Sequence, residues 1–288
     1  MNDMAVLTAS DFKSDTKPIW CPGCGDFSVL TALTKALAEL GRPREQVALI
    51  SGIGCSSRIP AYTRVYGLHG VHGRALAVAA GVKLANPALT VLAAGGDGDG
   101  LSIGGNHFLH ACRRNVDMTY VLMDNQVYGM TKGQASPTTA PEWCESKLTP
   151  HGTGISPVAP LHLALASGVN FFARGFAGKP NELAELILAG IAHPGFSVIH
   201  VLSPCVTFRP EQRGWKSVVH ASDAPPATDP AEALARFAAD DGFTTGILFQ
   251  ADRAPFLPAH TSDRTAEEYA AGFAVQGGYV PAAIAGGQ

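Results

Sequence analysis

Three short apolar runs, residues 47–50 (VALI), 89–94 (LTVLAA) and 118–123 (MTYVLM), carry almost no polar residue. A strand with one wet face alternates apolar and polar side chains, whereas a strand covered on both faces reads as a continuous apolar run. Between the runs lie stretches of helical spacing: residues 26–40, ending at Gly41; 74–85, ending before Pro87; and 103–114. Gly past a last turn and Pro beyond it are the ordinary stops of a helix. A strand at 169–173, a helix near 181–192 and a strand at 197–202 continue the alternation. Strands alternating with helices predict an α/β fold with a doubly wound, mostly parallel sheet.

Such sheets bind ligands at the carboxyl ends of their strands. The turns at 52–57, 95–100, 124–131 and 203–207 are therefore expected to emerge at one edge. From about residue 215 the rhythm fades into Ala/Pro-rich stretches, with one helix predicted at 230–239 and a late strand at 246–250. The chain is expected to divide into a ligand-binding domain, residues 1–214, and a C-terminal extension, 215–288, packing on the core or on a partner subunit.

Apolar residues make up 46% of the 288 and charged residues 16%, enough for a large core and a broad protein–protein interface. The net charge of −3 points to neither nucleic acid nor an anionic membrane surface. No run approaches about 18 consecutive apolar residues, so no membrane span is predicted. The N-terminal residues lack an apolar signal core, and a cytoplasmic location is expected. There, six cysteines suggest metal ligands or core residues before disulfides.

Gly96-Asp97-Gly98 follows one apolar run, and Asn125 follows the next, with residues 99–124 between them. A strand–helix–strand unit fits that interval and would bring the Asp97 carboxylate and the Asn125 amide to one edge. Both are hard oxygen ligands suited to Mg²⁺, which takes phosphate oxygens and water at its other positions. The glycines would let backbone approach a diphosphate, with a helix N-terminus facing the anion. The pattern is similar to the metal–diphosphate motif of thiamine diphosphate enzymes, which adds a backbone carbonyl two residues beyond the Asn, here Val127. A second register would use Asp99 in Gly98-Asp99-Gly100.

Cys21-Pro22-Gly23-Cys24 forms a CxxC; Cys55 and Cys205 lie in turns after strands. Four such thiolates can hold an iron–sulfur cluster or zinc, and a CxxC alone can be a redox pair. Cys112 falls inside a helix and is expected in the core; Cys144 has no assigned role.

Five segments, WCPGCGDF, GIGCSSR, HGVHGRA, GGDGDG and DNQVYGMTKGQ, occur in this order over roughly residues 18–210. Together they resemble the β subunit of 2-oxoacid:ferredoxin oxidoreductases, nearest to the 2-oxoglutarate or broad-specificity branch. The resemblance implies the PP-type thiamine diphosphate-binding fold and a [4Fe–4S] cluster on Cys21, Cys24, Cys55 and Cys205. It also implies cofactor contacts from Ile53, Gly54, Cys55, Ser56, His69, His72, Gly98 and Asp99. Arg58, Lys132 and His72 fall at family positions around the reacting groups. Arg58 could instead form a surface ion pair, Lys132 a solvated loop residue, and either histidine a turn cap. The implied reaction is CoA-dependent oxidative decarboxylation of a 2-oxoacid, 2-oxoglutarate or alternatively pyruvate, with electrons passed to ferredoxin. An α subunit would supply the activating glutamate in an αβ or α₂β₂ complex. A non-redox thiamine diphosphate enzyme and a zinc-stabilised binding module are the rival expectations.

Overall fold

The structure is a computed structural model and describes residues 7–256. Residues 1–6, and the part of the expected C-terminal extension after Phe256, lie outside the described residues.

The predicted strands form, at β1 (Val47–Ser51), β3 (Thr90–Gly96), β4 (Met118–Asp124), β5 (Phe171–Phe176) and β6 (Phe196–Leu202). They join β2 (Tyr66–His69), β7 (His220–Ala221) and β8 (Thr244–Gln250) in an eight-stranded sheet of order β2-β1-β3-β4-β6-β5-β8-β7. Pairing is parallel from β2 through to β5; β8 runs antiparallel to β5. The helices are α1 (Asp26–Leu40), α2 (Ala75–Ala85), α3 (Gly105–Arg114), α4 (Pro160–Ala166), α5 (Pro180–Ala192) and α6 (Pro230–Arg236).

The unbroken apolar runs are explained by two cores, one on each face. Along β3, Val91 and Ala93 join a core with α2 and α3, while Leu92 and Ala94 join the opposite core with α1 and α5. In β6, Phe196 and Val198 face the first core, and Ile199 and Val201 the second. Successive side chains point to opposite faces, so a strand between two helical layers must be apolar at every position.

Three features differ from expectation. All four residues of the edge strand β2 are exposed, and its sequence YGLH carries no apolar run to betray it. The helix expected from residue 103 begins at Gly105, after a π-helical turn, Gly98–Ile103, closed by Gly104 N–H on the Asp99 carbonyl at 3.0 Å. Single π turns of this kind mark functional sites. Finally, the late strand expected at 246–250 forms as β8, but it joins the main sheet, antiparallel to β5. The extension lacked the βα rhythm because its strand runs antiparallel and needs no crossover helix.

Arg174, inside the buried strand β5, ties this added segment down. Its guanidinium donates to both oxygens of Asp240, at 3.1 and 2.6 Å, and to the Thr244 carbonyl at 3.2 Å. Burial raises the Asp240 carboxyl, but the hydrogen bonds and charge of Arg174 outweigh it and hold the group below its ordinary range. Its contribution is therefore present above the ordinary carboxylate pKa and is lost as pH falls through the depressed value. Asp240→Asn leaves a guanidinium buried without its counter-charge and should cost about 3–5 kcal/mol. Urea unfolding at neutral pH measures this; a loss under about 1 kcal/mol would place the pair with solvent-screened surface bridges.

Candidate cofactor and metal site

β1, β3, β4 and β6 are consecutive neighbours and parallel, so their carboxyl ends share one edge. A cavity of about 120 Å³ opens there. Its wall comes from residues 53–56 after β1, His72, residues 96–99 after β3, and Asn125 with residues 127–131 after β4. Asp97, Asn125 and Val127, the expected metal ligands, thus face one space.

Asp97 is buried, and its Oδ2 accepts from the Thr138 hydroxyl at 2.7 Å. The same hydroxyl lies 2.8 Å from Asp124 Oδ1. One hydroxyl proton cannot serve two carboxylates. Asp124 also accepts from Gln126 N–H at 3.1 Å and contacts His200 Nε2 at 2.9 Å. Burial, then the neighbouring Asp124 charge, push the Asp97 carboxyl up to about 7. A carboxylate so placed gains from a divalent cation on its other oxygen, which offsets both costs.

The β4 turn is held rigidly. Asn125 Oδ1 accepts from Val127 N–H at 3.1 Å, an Asx turn. Gln126 takes a left-handed φ of 55°, and its carbonyl accepts from Thr139 Oγ1 at 2.7 Å and Arg209 Nη1 at 2.9 Å. Arg209 is fixed in turn over the Trp143 ring, 4.3 Å from its centroid.

Asp99, the alternative ligand, lines the same cavity, but its Oδ1 accepts from Ile53 N–H at 3.0 Å and Gly73 N–H at 2.8 Å, with His72 Nδ1 2.7 Å away. It staples three loops together, and that geometry favours Asp97 as the ligand. Ile53, Gly54, Cys55, Ser56, His72 and Gly98 all reach the cavity. His69 does not line it; its Nδ1 lies 2.7 Å from the Ser57 carbonyl and 3.1 Å from Ser51 Oγ, as a turn cap would. Arg58 and Lys132 also stand outside the wall; Lys132 is exposed at φ 79°, behind Met130 and Thr131, which do reach the cavity.

The cysteines gather beside this cavity. The CxxC loop meets the Cys205 turn through Gly25 N–H on the Pro204 carbonyl at 3.0 Å. A Cβ on Gly25 would sit 2.6 Å from Ser203 Oγ, so only glycine allows this approach. A Cβ on Gly129 would lie 3.6 Å from Cys205 Sγ and 3.9 Å from Cys55 Sγ. The thiols of Cys21, Cys24, Cys55 and Cys205 are near enough to influence one another's ionisation. Burial, then the charge of Asp26, raise Cys24 strongly and Cys55 to about 11; burial also raises Cys205. An activated CxxC redox pair needs the opposite shift. Cys112 is buried in the core as expected, and Cys144 is exposed. Among the described residues no three His, Cys, Asp or Glu side chains converge closely enough to hold a single ion.

Two buried residues bolt the cysteine turn to the β4 turn. The Gln212 side chain accepts from Cys205 N–H at 2.8 Å and donates to the Asn125 carbonyl at 2.8 Å; the Arg209 backbone N–H bonds the Cys205 carbonyl at 2.8 Å while its guanidinium bonds the Gln126 carbonyl. Sequence reasoning missed Thr138, Asp124, His200, Gln212 and Asp26 as site residues. His200 had a visible signal, a titratable group inside the apolar strand FSVIHVL; Gln212, in a short 3-10 helix, and Thr138, in an irregular segment, had none.

Residues 38–201 match the family model for the thiamine pyrophosphate enzyme, C-terminal TPP binding domain. The chain is 46% identical over 198 residues to 2-oxoacid:ferredoxin oxidoreductase 2, subunit beta, of Aeropyrum pernix, covering 69% of this chain and 64% of that protein. It is 46% identical over 215 residues to the 2-oxoacid:ferredoxin oxidoreductase subunit beta of Saccharolobus solfataricus, covering 73% and 70%. The chain belongs to the 2-oxoacid:ferredoxin oxidoreductase β subunits. The Aeropyrum alignment thus spans less than two thirds of that relative's length. A solved 2-oxoglutarate:ferredoxin oxidoreductase from Magnetococcus marinus, with 2-oxoglutarate, coenzyme A and succinyl-CoA bound, superposes with TM-score 0.82 at 40% identity, covering 98% of this chain and 94% of that one. The parallel sheet and the turns at its carboxyl edge are thus the thiamine diphosphate-binding fold of this family. No helix among the described residues is long and apolar enough to cross a membrane.

The raised Asp97 carboxyl has a measurable signature. Its protonated form is favoured by folding, so its contribution is full below about 4 and is lost as pH rises to about 7. Relative to Asp97→Asn, the metal-free protein should therefore lose melting temperature across that interval. A constant difference between the two would show that Asp97 ionises as an ordinary carboxyl.

Proposed function

We propose that this β subunit holds thiamine diphosphate through Mg²⁺ on Asp97, Asn125 and the Val127 carbonyl, and a [4Fe–4S] cluster on Cys21, Cys24, Cys55 and Cys205. Together with an α subunit it would decarboxylate a 2-oxoacid oxidatively to an acyl-CoA. One observation carries this reading: the turn after β4 places Asn125 and Val127 in the cavity with Asp97 and, within four residues, lays Gly129 against Cys55 and Cys205.

The residues suit both groups. Asp97 and Asn125 are hard oxygen donors facing one cavity, and only glycine at 98 admits the Tyr128 ring that packs against it there. The four cysteines are uncrosslinked thiols, and the raised pKa values of Cys24, Cys55 and Cys205 mean that metal must displace protons from them to bind. When bound, the thiamine ring supplies an electron sink for decarboxylation and the cluster a one-electron acceptor. The chain's own residues hold these parts in register. Gln212 and Arg209 fix the cysteine turn against the metal turn, and Asp99 fixes the β1 loop against His72. The elements around the cavity would keep bulk water from its floor.

The cavity is smaller than the roughly 300–1,000 Å³ of sites that enclose a drug-sized ligand. It suits a diphosphate and a cation, and leaves the rest of the cofactor to another surface. Ile53, Val71, Ile103 and Met130 stand exposed around it, an apolar rim that a second subunit would cover. The α subunit is the occupant we assign, with the activating glutamate. The ligands of the Magnetococcus structure support 2-oxoglutarate and coenzyme A as substrates. Pyruvate is the alternative acid, ferredoxin the electron acceptor, and the cytoplasm the location.

Two substitutions on the assembled complex separate the two centres. Cys205→Ser should lower iron and sulfide content while bound thiamine diphosphate stays near stoichiometric. Asp97→Ala should do the reverse. Full iron in the first variant would remove Cys205 from the cluster, and full cofactor retention in the second would remove Asp97 from the metal.

A further inference from the structure

Behind Asp97 lies a line of buried polar groups that the proposed chemistry does not use. It runs from Thr138 to Asp124, then to His200 on β6, Arg174 on β5, and Asp240 before β8. All five side chains are buried. They line a second cavity, of about 180 Å³, on the side of Thr138 away from the first.

The direction of each bond can be deduced. The Arg174 guanidinium can only donate, so its Nε–H on His200 Nδ1, at 3.2 Å, requires that nitrogen to be an acceptor. The proton of a neutral imidazole then sits on Nε2, which donates to Asp124 Oδ2 at 2.9 Å. With Oδ1 held by Gln126 N–H, the Asp124 carboxylate is fixed from both sides. The Thr138 hydroxyl is thereby held between Asp124 Oδ1 and Asp97 Oδ2. Asp97 cannot rotate without breaking that contact, and it is held so while lining the first cavity.

We propose that Thr138 and His200 are positioning residues for the metal: they set the orientation of Asp97 and so raise its affinity for the divalent cation. The inference rests on the assignment of Asp97 to Mg²⁺ above. Groups that orient a metal ligand from behind typically change metal affinity 10–100-fold when removed. The line ends on Asp240, so the segment after residue 214 contributes to the metal site without touching it.

The test uses the assembled complex with thiamine diphosphate present. Mn²⁺ is titrated in as a probe, and its free concentration is read from the free-ion electron paramagnetic resonance signal. Thr138→Val keeps the side-chain shape and removes the hydroxyl; it should weaken Mn²⁺ binding about 10–100-fold. Thr138→Ser keeps the hydroxyl and should bind within about threefold of wild type, a rescue that a packing role would not produce. His200→Gln, which retains an N–H toward Asp124, should resemble Thr138→Ser, and His200→Leu should resemble Thr138→Val. The His200 pair decides the matter if Thr138→Val fails to fold. Wild-type affinity in both Thr138→Val and His200→Leu overturns the proposal, provided Asp97→Ala abolishes binding. If Asp97→Ala also binds normally, the metal assignment itself falls, and this proposal with it.

Discussion

The parallel pairing of β1, β3, β4 and β6 is the constraint on which the rest of the structure depends. Parallel neighbours end at the same edge, and strands covered on both faces leave only that edge open for chemistry. Residues as far apart in sequence as Cys55, Asp97 and Asn125 therefore line one cavity, with the Cys205 turn beside it. The side chains that refine the arrangement act between turns. Gln212 joins the cysteine turn to the β4 turn, Asp99 joins three loops, and Thr138 joins the β3 and β4 carboxylates.

Electrostatically the edge is poised for cations and short of them. Asp26, Asp97, Asp99 and Asp124 are all buried there. Asp26 Oδ2 and Asp99 Oδ2 have no hydrogen-bond partner among the described residues, and burial drives Asp26 up to about 6. Unpaired buried carboxylates are costly and are tolerated where a ligand or metal offsets them. Cys24 and Cys55 follow the same logic, since burial beside Asp26 favours their protonated thiols.

Much of this was legible in the sequence, for reasons that can be named. The continuous apolar runs announced a sheet covered on both faces, and the interval from Asp97 to Asn125 announced two oxygen-bearing side chains at the ends of neighbouring strands, which line one cavity. What could not be read was whatever lacked period or run. The edge strand β2 has four exposed residues and α4 lies in an irregular stretch, while β8, expected as a late strand, gave no sign in its sequence that it pairs antiparallel with β5. In the site, Asp99 was expected beside the diphosphate, and no sequence signal showed that its carboxylate also ties the loops at Ile53 and Gly73 together. Thr138 and Gln212 act through contacts between distant segments, and no local pattern marks such residues.

The central claim is that one turn joins two centres, so that a cation on Asp97 and Asn125 lies close to a cluster on the four cysteines. Paramagnetic relaxation measures this directly. The assembled complex would be loaded with thiamine diphosphate and either Mg²⁺ or Mn²⁺, the cluster reduced, and its electron spin relaxation recorded. The account predicts markedly faster relaxation of the cluster signal with Mn²⁺ than with Mg²⁺. Identical relaxation in samples that contain both centres in full would contradict it.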